Sequence, residues 1–121
     1  MNQIDKQKVL KPYIGVHLIE HENGYVVWRT GTGNNTELLH IKTFISGKGT
    51  GSELVKAMLI KLKENPPYAT VFGFTRTVNQ ASQDFYKALG FELSEVKGVY
   101  EDGTAIVFSQ LFTKLLELHQ L

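Results

Sequence analysis

Two short segments of the chain combine residue types and spacings that could carry chemistry. The first, residues 46–52, alternates glycine with small or polar residues directly before a stretch of helical apolar periodicity. A helix that begins after such a turn presents unpaired N–H groups, and glycines let the backbone approach an anion closely. The segment therefore suits a phosphate group. The alternative is structural, because Thr50 and Glu53 fit a capping box that would satisfy the helix end internally.

The second segment, residues 79–91, has the periodicity of another helix. Asn79, Ser82 and Tyr86 fall along one edge of that helix, because residues three, four and seven positions apart lie on the same side. A phenol at this edge could donate a proton to a leaving group. It could equally be an amphipathic residue at the border of the core. The predicted core-facing stripe of this helix consists of Ala81, Phe85, Ala88 and Leu89.

The remaining chain contains the elements that must position these segments. Alternating apolar residues and turn signals predict strands at 13–20, 25–29, 37–44, 68–75, 91–96 and 104–112, and periodicity predicts helices at 50–63 and 79–89. Residues 113–121 are predicted to form a helical turn or a frayed tail. The central strand–helix–strand unit should be parallel and right-handed, and the flanking hairpins antiparallel. These elements predict a single α/β domain over residues 1–121, with a mixed, mostly antiparallel twisted sheet and two main helices.

Composition limits the partners and the chemistry. At 121 residues and a net charge of +1, the chain predicts one domain with no nucleic-acid partner. No stretch is long and apolar enough to predict a membrane span, and the N-terminus lacks the apolar core of a signal peptide. The cytoplasm is therefore the default expectation. The absence of cysteine and the spacing of His17, His21 and His119 predict no metal site, and these histidines are expected at the surface.

On these residues the chain resembles the GNAT superfamily of acyl-CoA-dependent N-acyltransferases. Gly49 and Gly51 match the small positions of the family's Gln/Arg-x-x-Gly-x-Gly/Ala motif, which binds a pyrophosphate. Asn79 and Tyr86 match its Asn and Tyr positions seven residues apart, followed by Leu-Gly-Phe. Ser46 departs from the pattern, because the family has a long Gln or Arg there.

The resemblance implies that acetyl-CoA is the co-substrate and that residues 47–52 hold its pyrophosphate through the backbone, with Lys48 as a source of positive charge. It implies that backbone groups of Leu39 and Ile41 pair with acetyl-CoA. Asn79 would contact the cofactor arm, and Tyr86 would act as general acid beside the thioester sulfur. The implied cofactor-binding residues are Leu39, Ile41, Gly47, Lys48, Gly49, Thr50, Gly51, Ser52, Asn79 and Tyr86.

The implied reaction is transfer of an acetyl group to the primary amine of a small molecule or peptide. The Leu39 N–H would then stabilise the tetrahedral oxyanion. Glu37 is a candidate base, because simple alternation puts it on the face that carries Leu39 and Ile41. Either His40 or water could take that role instead, and Glu37 could equally be a solvated strand-end carboxylate.

The resemblance also leaves an alternative, a non-catalytic acyl-CoA-binding regulatory module. A usual GNAT has a first strand and two helices before its hairpin, whereas about a dozen residues precede Tyr13 here. The sheet face that those helices cover is therefore expected to be exposed. A homodimer would cover such an apolar face.

Overall fold

The computed structural model of the chain describes residues 16–30, 35–45, 47–64, 69–101 and 103–121. The predictions for residues 13–15, for Ser46 and for Tyr68 lie outside these ranges. The described strands are β1 (His17–His21), β2 (Gly24–Thr30), β3 (Asn35–Thr43), β4 (Thr70–Arg76), β5 (Glu92–Tyr100) and β6 (Gly103–Leu111). The described helices are α1 (Thr50–Leu62), α2 (Gln80–Ala88) and α3 (Phe112–Leu118).

The six strands form one mixed sheet in the order β1-β2-β3-β4-β6-β5. Among these strands only β3 and β4 are parallel neighbours, so the predicted α/β class is confirmed. The β3-α1-β4 and β4-α2-β5 crossovers both proceed toward β5. Right-handed crossovers that proceed in the same direction put their helices on the same side of a sheet, so α1 and α2 lie on one side. We call this side the helix face and the other the open face, which carries no helix among the described residues. The predicted apolar side of α1 is buried and consists of Leu54, Val55, Met58, Leu59 and Leu62.

β3 and β4 are paired only where they begin. Their register runs from the Asn35–Thr70 pair to the Glu37–Phe72 pair and then ends, although both strands continue. The strands therefore diverge and open a wedge in the sheet. β4 stays paired with β6 along its whole length, so one wall of the wedge is held firmly.

On its other side β3 carries a bulge at Leu39. His40 lies opposite Val27 and Leu38 lies opposite Trp28, which leaves Leu39 without a partner on β2. One extra residue bends a strand and increases its local twist. The bulge thus lies two residues after the last pair between β3 and β4, and it turns β3 where the wedge opens.

The buried side of α2 differs from the predicted one. Tyr86 and Leu89 are buried, whereas Ala81 and Ala88 are exposed. The Tyr86 ring stacks on Phe108 of β6, with ring centroids 3.6 Å apart and planes 10° apart. Leu89 and the partly buried Phe85 confirm part of the predicted stripe. The prediction was wrong for Ala81 and Ala88, because burying an aromatic ring against another ring stabilises the fold more than burying two alanine methyl groups.

The end of the chain is a helix rather than a frayed tail. α3 puts Phe112 and Leu115 into the core, so β6 ends at Leu111. His119, predicted at the surface, is buried, and its Nε2–H donates a hydrogen bond of 2.9 Å to the Leu89 carbonyl oxygen. A histidine with a satisfied hydrogen bond can be buried at little cost, and here it ties the chain end to the end of α2.

β5 is longer than predicted. It continues past the expected end at Val96 to Tyr100, and its register with β6 shifts between Lys97 and Tyr100. A bulge of this kind lets a strand continue with a changed direction. The extension brings Tyr100 to the wedge between β3 and β4.

Thr36 gives a prediction about stability. It is fully buried in β3, and among the described residues its Oγ1 has no hydrogen-bond partner. A buried hydroxyl without a partner destabilises a protein by roughly 1–3 kcal/mol. Thr36→Val keeps the branched shape, so we expect the free energy of unfolding in urea to rise by about 1 kcal/mol. The matched control is Thr75→Val, which should lower it, because the buried Thr75 hydroxyl donates to Ser82 Oγ at 2.9 Å. A less stable Thr36→Val protein would contradict this account.

Candidate functional site

The wedge between β3 and β4 contains a cleft of about 740 Å³, a size in the range of small-molecule sites. It brings together four of the implied cofactor-binding residues, namely Leu39, Ile41, Asn79 and Tyr86. The other residues of its wall are His40, Lys42, Thr43, Phe74, Thr75, Arg76, Ala81, Ser82, Phe85 and Tyr100.

Leu39 is part of this cleft, and its backbone is the part that matters. As the bulged residue it has no partner on β2, and it lies beyond the last residue that β3 pairs with β4. A backbone N–H that no sheet ladder uses can donate to an oxygen that becomes negatively charged. The bulge therefore makes the peptide group of Leu39 a candidate for that task.

The bulge also changes the alternation of side chains along β3. Ile41 packs against the core on the helix face. Glu37 lies directly opposite Arg29 of β2, and opposite residues share a face, here the open one. The prediction that Glu37 shares a face with Ile41 was wrong, because one extra residue at Leu39 reverses the alternation after it.

Glu37 is not part of the cleft wall. Its Oε1 accepts hydrogen bonds from Arg29 Nε at 3.1 Å and from Arg29 Nη2 at 2.8 Å. The structure therefore does not bring this candidate base together with Leu39 and Tyr86 in the cleft.

His40 lies in the cleft wall, one residue after the bulge. The Tyr25 hydroxyl oxygen is 3.3 Å from His40 Nδ1, and the two rings meet edge to face. Partial burial, and secondarily the charge of Lys42, lower the pKa of His40 below its ordinary value. The imidazole is therefore neutral at pH 7. With Nδ1 beside Tyr25, Nε2 is the nitrogen left for proton transfer.

Tyr86 presents its hydroxyl to the cleft from a ring held in the core. Burial, with a smaller contribution from Tyr100, raises the pKa of the phenol well above its usual range. The phenol is therefore protonated at neutral pH. Within the described part of the chain the hydroxyl has no hydrogen-bond partner, so it can donate to a ligand.

Asn79 caps α2 and closes the same edge of the cleft. Its Oδ1 accepts a hydrogen bond of 3.0 Å from the Ser82 N–H. Ser82 Oγ in turn accepts a hydrogen bond of 2.9 Å from Thr75 Oγ1 on β4. An N-cap of this type stabilises a helix start by about 1 kcal/mol. The Asn79 amide nitrogen takes no part in the cap and can donate to a bound molecule.

The glycine-rich turn forms a second recess of about 310 Å³ at the start of α1. Gly47 and Gly49 have φ values of 77° and 72°, and no atom lies within 4 Å of where a Cβ would stand. The space in front of both glycines is therefore open to a ligand. The recess wall consists of Thr43, Ile45, Gly47, Lys48, Gly49, Thr50, Gly51, Ser52, Phe85, Ala88 and Leu89.

The capping box that would have competed with a ligand is not formed. The N-cap of α1 is Gly49, and no side chain caps the helix. Glu53 instead pairs with His21 of β1, Oε2 to Nε2 at 2.7 Å. Among the described residues the N–H groups of Thr50, Gly51 and Ser52 therefore have no acceptor. They converge at the positive end of the helix dipole, which attracts an anion.

Gly51 has a packing role in addition. A Cβ on Gly51 would lie 2.6 Å from Phe85 Cε2, so a glycine is needed for α1 to approach α2 this closely. Phe85 and Thr43 belong to both recesses. The two recesses are therefore adjacent, and we call them together the groove, which extends from the start of α1 to the wedge at Leu39 and Tyr86.

Comparison with models of known protein families gives a match for the part of the chain that forms this groove. The family model described as FR47-like protein matches residues 25–99, a range that contains the wedge, the glycine-rich turn and α2. The chain belongs to the FR47-like proteins of the GNAT superfamily. Comparison with curated proteins found no match.

Solved structures of GNAT acetyltransferases share this fold. A GNAT family acetyltransferase from Elizabethkingia anophelis with acetyl-CoA bound has a TM-score of 0.71 at 16% identity, covering 87% of this chain and 82% of that chain. Aminoglycoside acetyltransferase AAC(6′)-Ib with coenzyme A and kanamycin has a TM-score of 0.69 at 19% identity, covering 98% and 80%. Mutant forms of the spermidine/spermine N-acetyltransferase SpeG from Vibrio cholerae give 0.69 at 14%, covering 96% and 79%.

Sequence reasoning missed several residues of the cleft of this GNAT domain, among them Arg76 and Tyr100. Arg76 lies with its Cζ 4.3 Å from the centroid of the Tyr100 ring, and both belong to the cleft wall. Two-residue alternation along β4 could have put Arg76 on one face with Phe72 and Phe74. Tyr100 could not be found, because the strand that carries it was predicted to end at Val96.

Two further observations concern the described part of this GNAT domain. None of its helices is long and apolar enough to cross a membrane. Its His, Asp and Glu side chains form no group of three or more that could hold a metal ion.

Proposed function

We propose that this GNAT domain transfers an acetyl group from acetyl-CoA to the primary amine of a small molecule or peptide. One observation carries the proposal. A single groove joins a helix start with free N–H groups to a wedge that contains the bulged backbone of Leu39 and the Tyr86 hydroxyl. A phosphate at one end and a thioester at the other are the two parts of an acyl-CoA that this groove suits.

The cofactor would bind mainly through backbone groups. Its pyrophosphate would accept hydrogen bonds from the N–H groups at the start of α1, and Lys48 would add positive charge. Its pantetheine arm would follow the unpaired edge of β3 near Ile41 as an added strand does. Asn79 would contact the arm from the start of α2. Structures of GNAT acetyltransferases with acetyl-CoA or coenzyme A bound support this arrangement by analogy of fold.

The reaction would be a direct attack. The amine nitrogen bonds to the thioester carbon, and the carbonyl oxygen gains negative charge, which the Leu39 N–H stabilises. The intermediate then breaks its carbon–sulfur bond. Tyr86 donates its proton to the departing thiolate, and the tyrosinate later regains a proton from solvent. The raised pKa of Tyr86 makes it a reluctant acid, but it guarantees that the proton is present when the thiolate forms.

His40 is our preferred base for the amine proton. Its imidazole is neutral at pH 7 and lies in the cleft wall. Glu37, the alternative from the sequence, is engaged by Arg29 outside that wall. Water bridging from His40 to the amine would serve the same purpose, since general bases also act through one water molecule.

The acceptor, the assembly and the location are further parts of the proposal. AAC(6′)-Ib and SpeG act on amines, as their names state, which supports an amine acceptor in general. A homodimer stays a prediction, since the open face carries no helix among the described residues. A cytoplasmic location likewise stays a prediction from composition.

Binding of acetyl-CoA gives the first test. Gly49→Ala would introduce a Cβ at φ 72° into the open recess. We expect the dissociation constant for acetyl-CoA, measured by calorimetry, to rise about tenfold or more. The matched control is Gly98→Ala, which makes the same change at φ 85° with nothing within 4 Å and outside the groove walls. Equal affinity in Gly49→Ala and wild type would contradict the pyrophosphate site.

Tyr86→Phe tests the chemistry. The ring that stacks on Phe108 is kept, and the lost hydroxyl has no partner among the described residues, so stability and acetyl-CoA affinity should hardly change. Turnover should fall by roughly 10²–10⁴-fold if the phenol is the general acid. Wild-type turnover in this variant would exclude that role. A wild type that binds acetyl-CoA but acetylates no amine would favour the acyl-CoA-binding module.

The pH dependence of kcat/KM separates the two candidate bases. A lowered pKa keeps His40 unprotonated to lower pH, so activity calculated per unprotonated amine should decline only below about 6.5, the ordinary value for histidine. His40→Gln should remove this acid limb and lower the rate by roughly 10²-fold. Glu37→Gln should keep the limb. A limb that persists in His40→Gln and disappears in Glu37→Gln would reverse the assignment.

A further inference from the structure

The end of the cleft where an acceptor would enter can be identified from strand alternation. Tyr25 lies directly opposite Lys42, and Val27 lies opposite His40. Opposite residues of an antiparallel pair share a face, and the neighbours Val26 and Ile41 belong to the core on the helix face. His40 and Lys42 therefore point to the open face. The glycine-rich recess and α2 lie on the helix face, so the cofactor and the acceptor would reach the wedge from opposite sides.

The two charged side chains of the described cleft wall, Lys42 and Arg76, are both positive. Lys42 is exposed at this end and forms no ion pair within the described ranges. Arg76 adds a second cation, positioned by its stacking on Tyr100. The described cleft wall contains no aspartate or glutamate. Carboxylates lie outside this wall: Glu37 is paired with Arg29, and Glu20 is two strands from Lys42 in the row through Tyr25. Glu101 lines a separate recess with Arg76.

The charge of Lys42 acts at the position where proton transfer is proposed. It contributes to the lowered pKa of His40, its neighbour two residues along β3. The same field would lower the pKa of an ammonium bound beside His40, since a like charge disfavours the charged form. In a molecule with several ammonium groups, each of these groups would be repelled by the charge of Lys42. A molecule that also carries a carboxylate would be attracted by it.

We infer that the preferred acceptor is a small amine that also carries a carboxylate, such as an amino acid, rather than a polyamine. The inference rests on the proposed function and adds the substrate class to it. Lys42 would bind the carboxylate at the mouth of the cleft. The amine would then reach past His40 toward the thioester at Leu39.

Three amines with the same four-carbon chain test this inference: 4-aminobutanoate, butylamine and 1,4-diaminobutane. Coenzyme A release from saturating acetyl-CoA is measured with the full chain, at equal concentrations of unprotonated amine. We expect kcat/KM for 4-aminobutanoate to exceed that for 1,4-diaminobutane about tenfold or more. The preference should shrink as salt is added, because exposed charges are screened.

Charge reversal identifies the residue responsible. Lys42→Glu should reverse the order of 4-aminobutanoate and 1,4-diaminobutane while keeping the affinity for acetyl-CoA. The matched control is Lys56→Glu, the same charge change on an exposed position of α1 outside both groove walls. It should leave the order of the three amines unchanged. An unchanged order in Lys42→Glu would overturn the assignment to Lys42.

Calorimetry of the same amines with protein saturated with coenzyme A separates this inference from the proposed function. Without an acetyl group no reaction occurs, so only the charge preference is measured. Preferential binding of 4-aminobutanoate without any turnover would overturn the proposed transfer reaction and keep the preference. Binding of 1,4-diaminobutane as tight as or tighter than that of 4-aminobutanoate, or binding of none of the amines, would overturn the inference itself.

Discussion

The early end of the β3–β4 ladder is the constraint on which the rest of the site depends. If pairing continued beyond Glu37 and Phe72, the backbone of Leu39 would be used by the sheet and the wedge would be closed. The bulge at Leu39 prevents this, because it bends β3 away from its parallel neighbour. The cost is a set of unpaired backbone groups, which must find a partner in solvent or in a ligand. The divergence of two strands thus produces both the space of the cleft and its hydrogen-bonding groups.

Two aromatic residues of α2 connect this wedge to the core. Phe85 contacts the start of α1 at Gly51 and belongs to both recesses. Tyr86, the next residue, stacks on Phe108 of β6. Because packed aromatic rings do not change position freely, the hydroxyl of Tyr86 and the start of α1 are held in a fixed relation. The groove is therefore rigid where its two halves meet, although it is lined largely by small and polar groups.

Much of this site could be predicted from local sequence, and the rest depends on pairing between distant strands. Gly49 can be identified because a glycine-rich turn before a helical segment marks a helix start. Tyr86 can be identified because helical periodicity puts it on one edge of α2 with Asn79 and Ser82. The position of Glu37 could not be predicted, since one bulged residue reverses the alternation on which the prediction rested. The same holds for Tyr100, which reaches the cleft only because a second bulge lets β5 continue. Bulges leave little trace in a single sequence, and both lie next to the cleft.

The electrostatics of the wedge follow from burial and one neighbouring charge. Burial raises the pKa of Tyr86, so the proposed acid keeps its proton. Burial and Lys42 lower the pKa of His40, so the proposed base is unprotonated. Desolvation therefore drives two groups of opposite function into the neutral states that their functions require, because it disfavours any charge. Lys42 acts on one side only. Its positive charge lies on the open face and disfavours a second positive charge on the acceptor side of the thioester. Because β3 and β4 diverge, an incoming amine can approach Lys42 in the cleft. The backbone feature that forms the cleft therefore also determines which charged side chains an acceptor contacts.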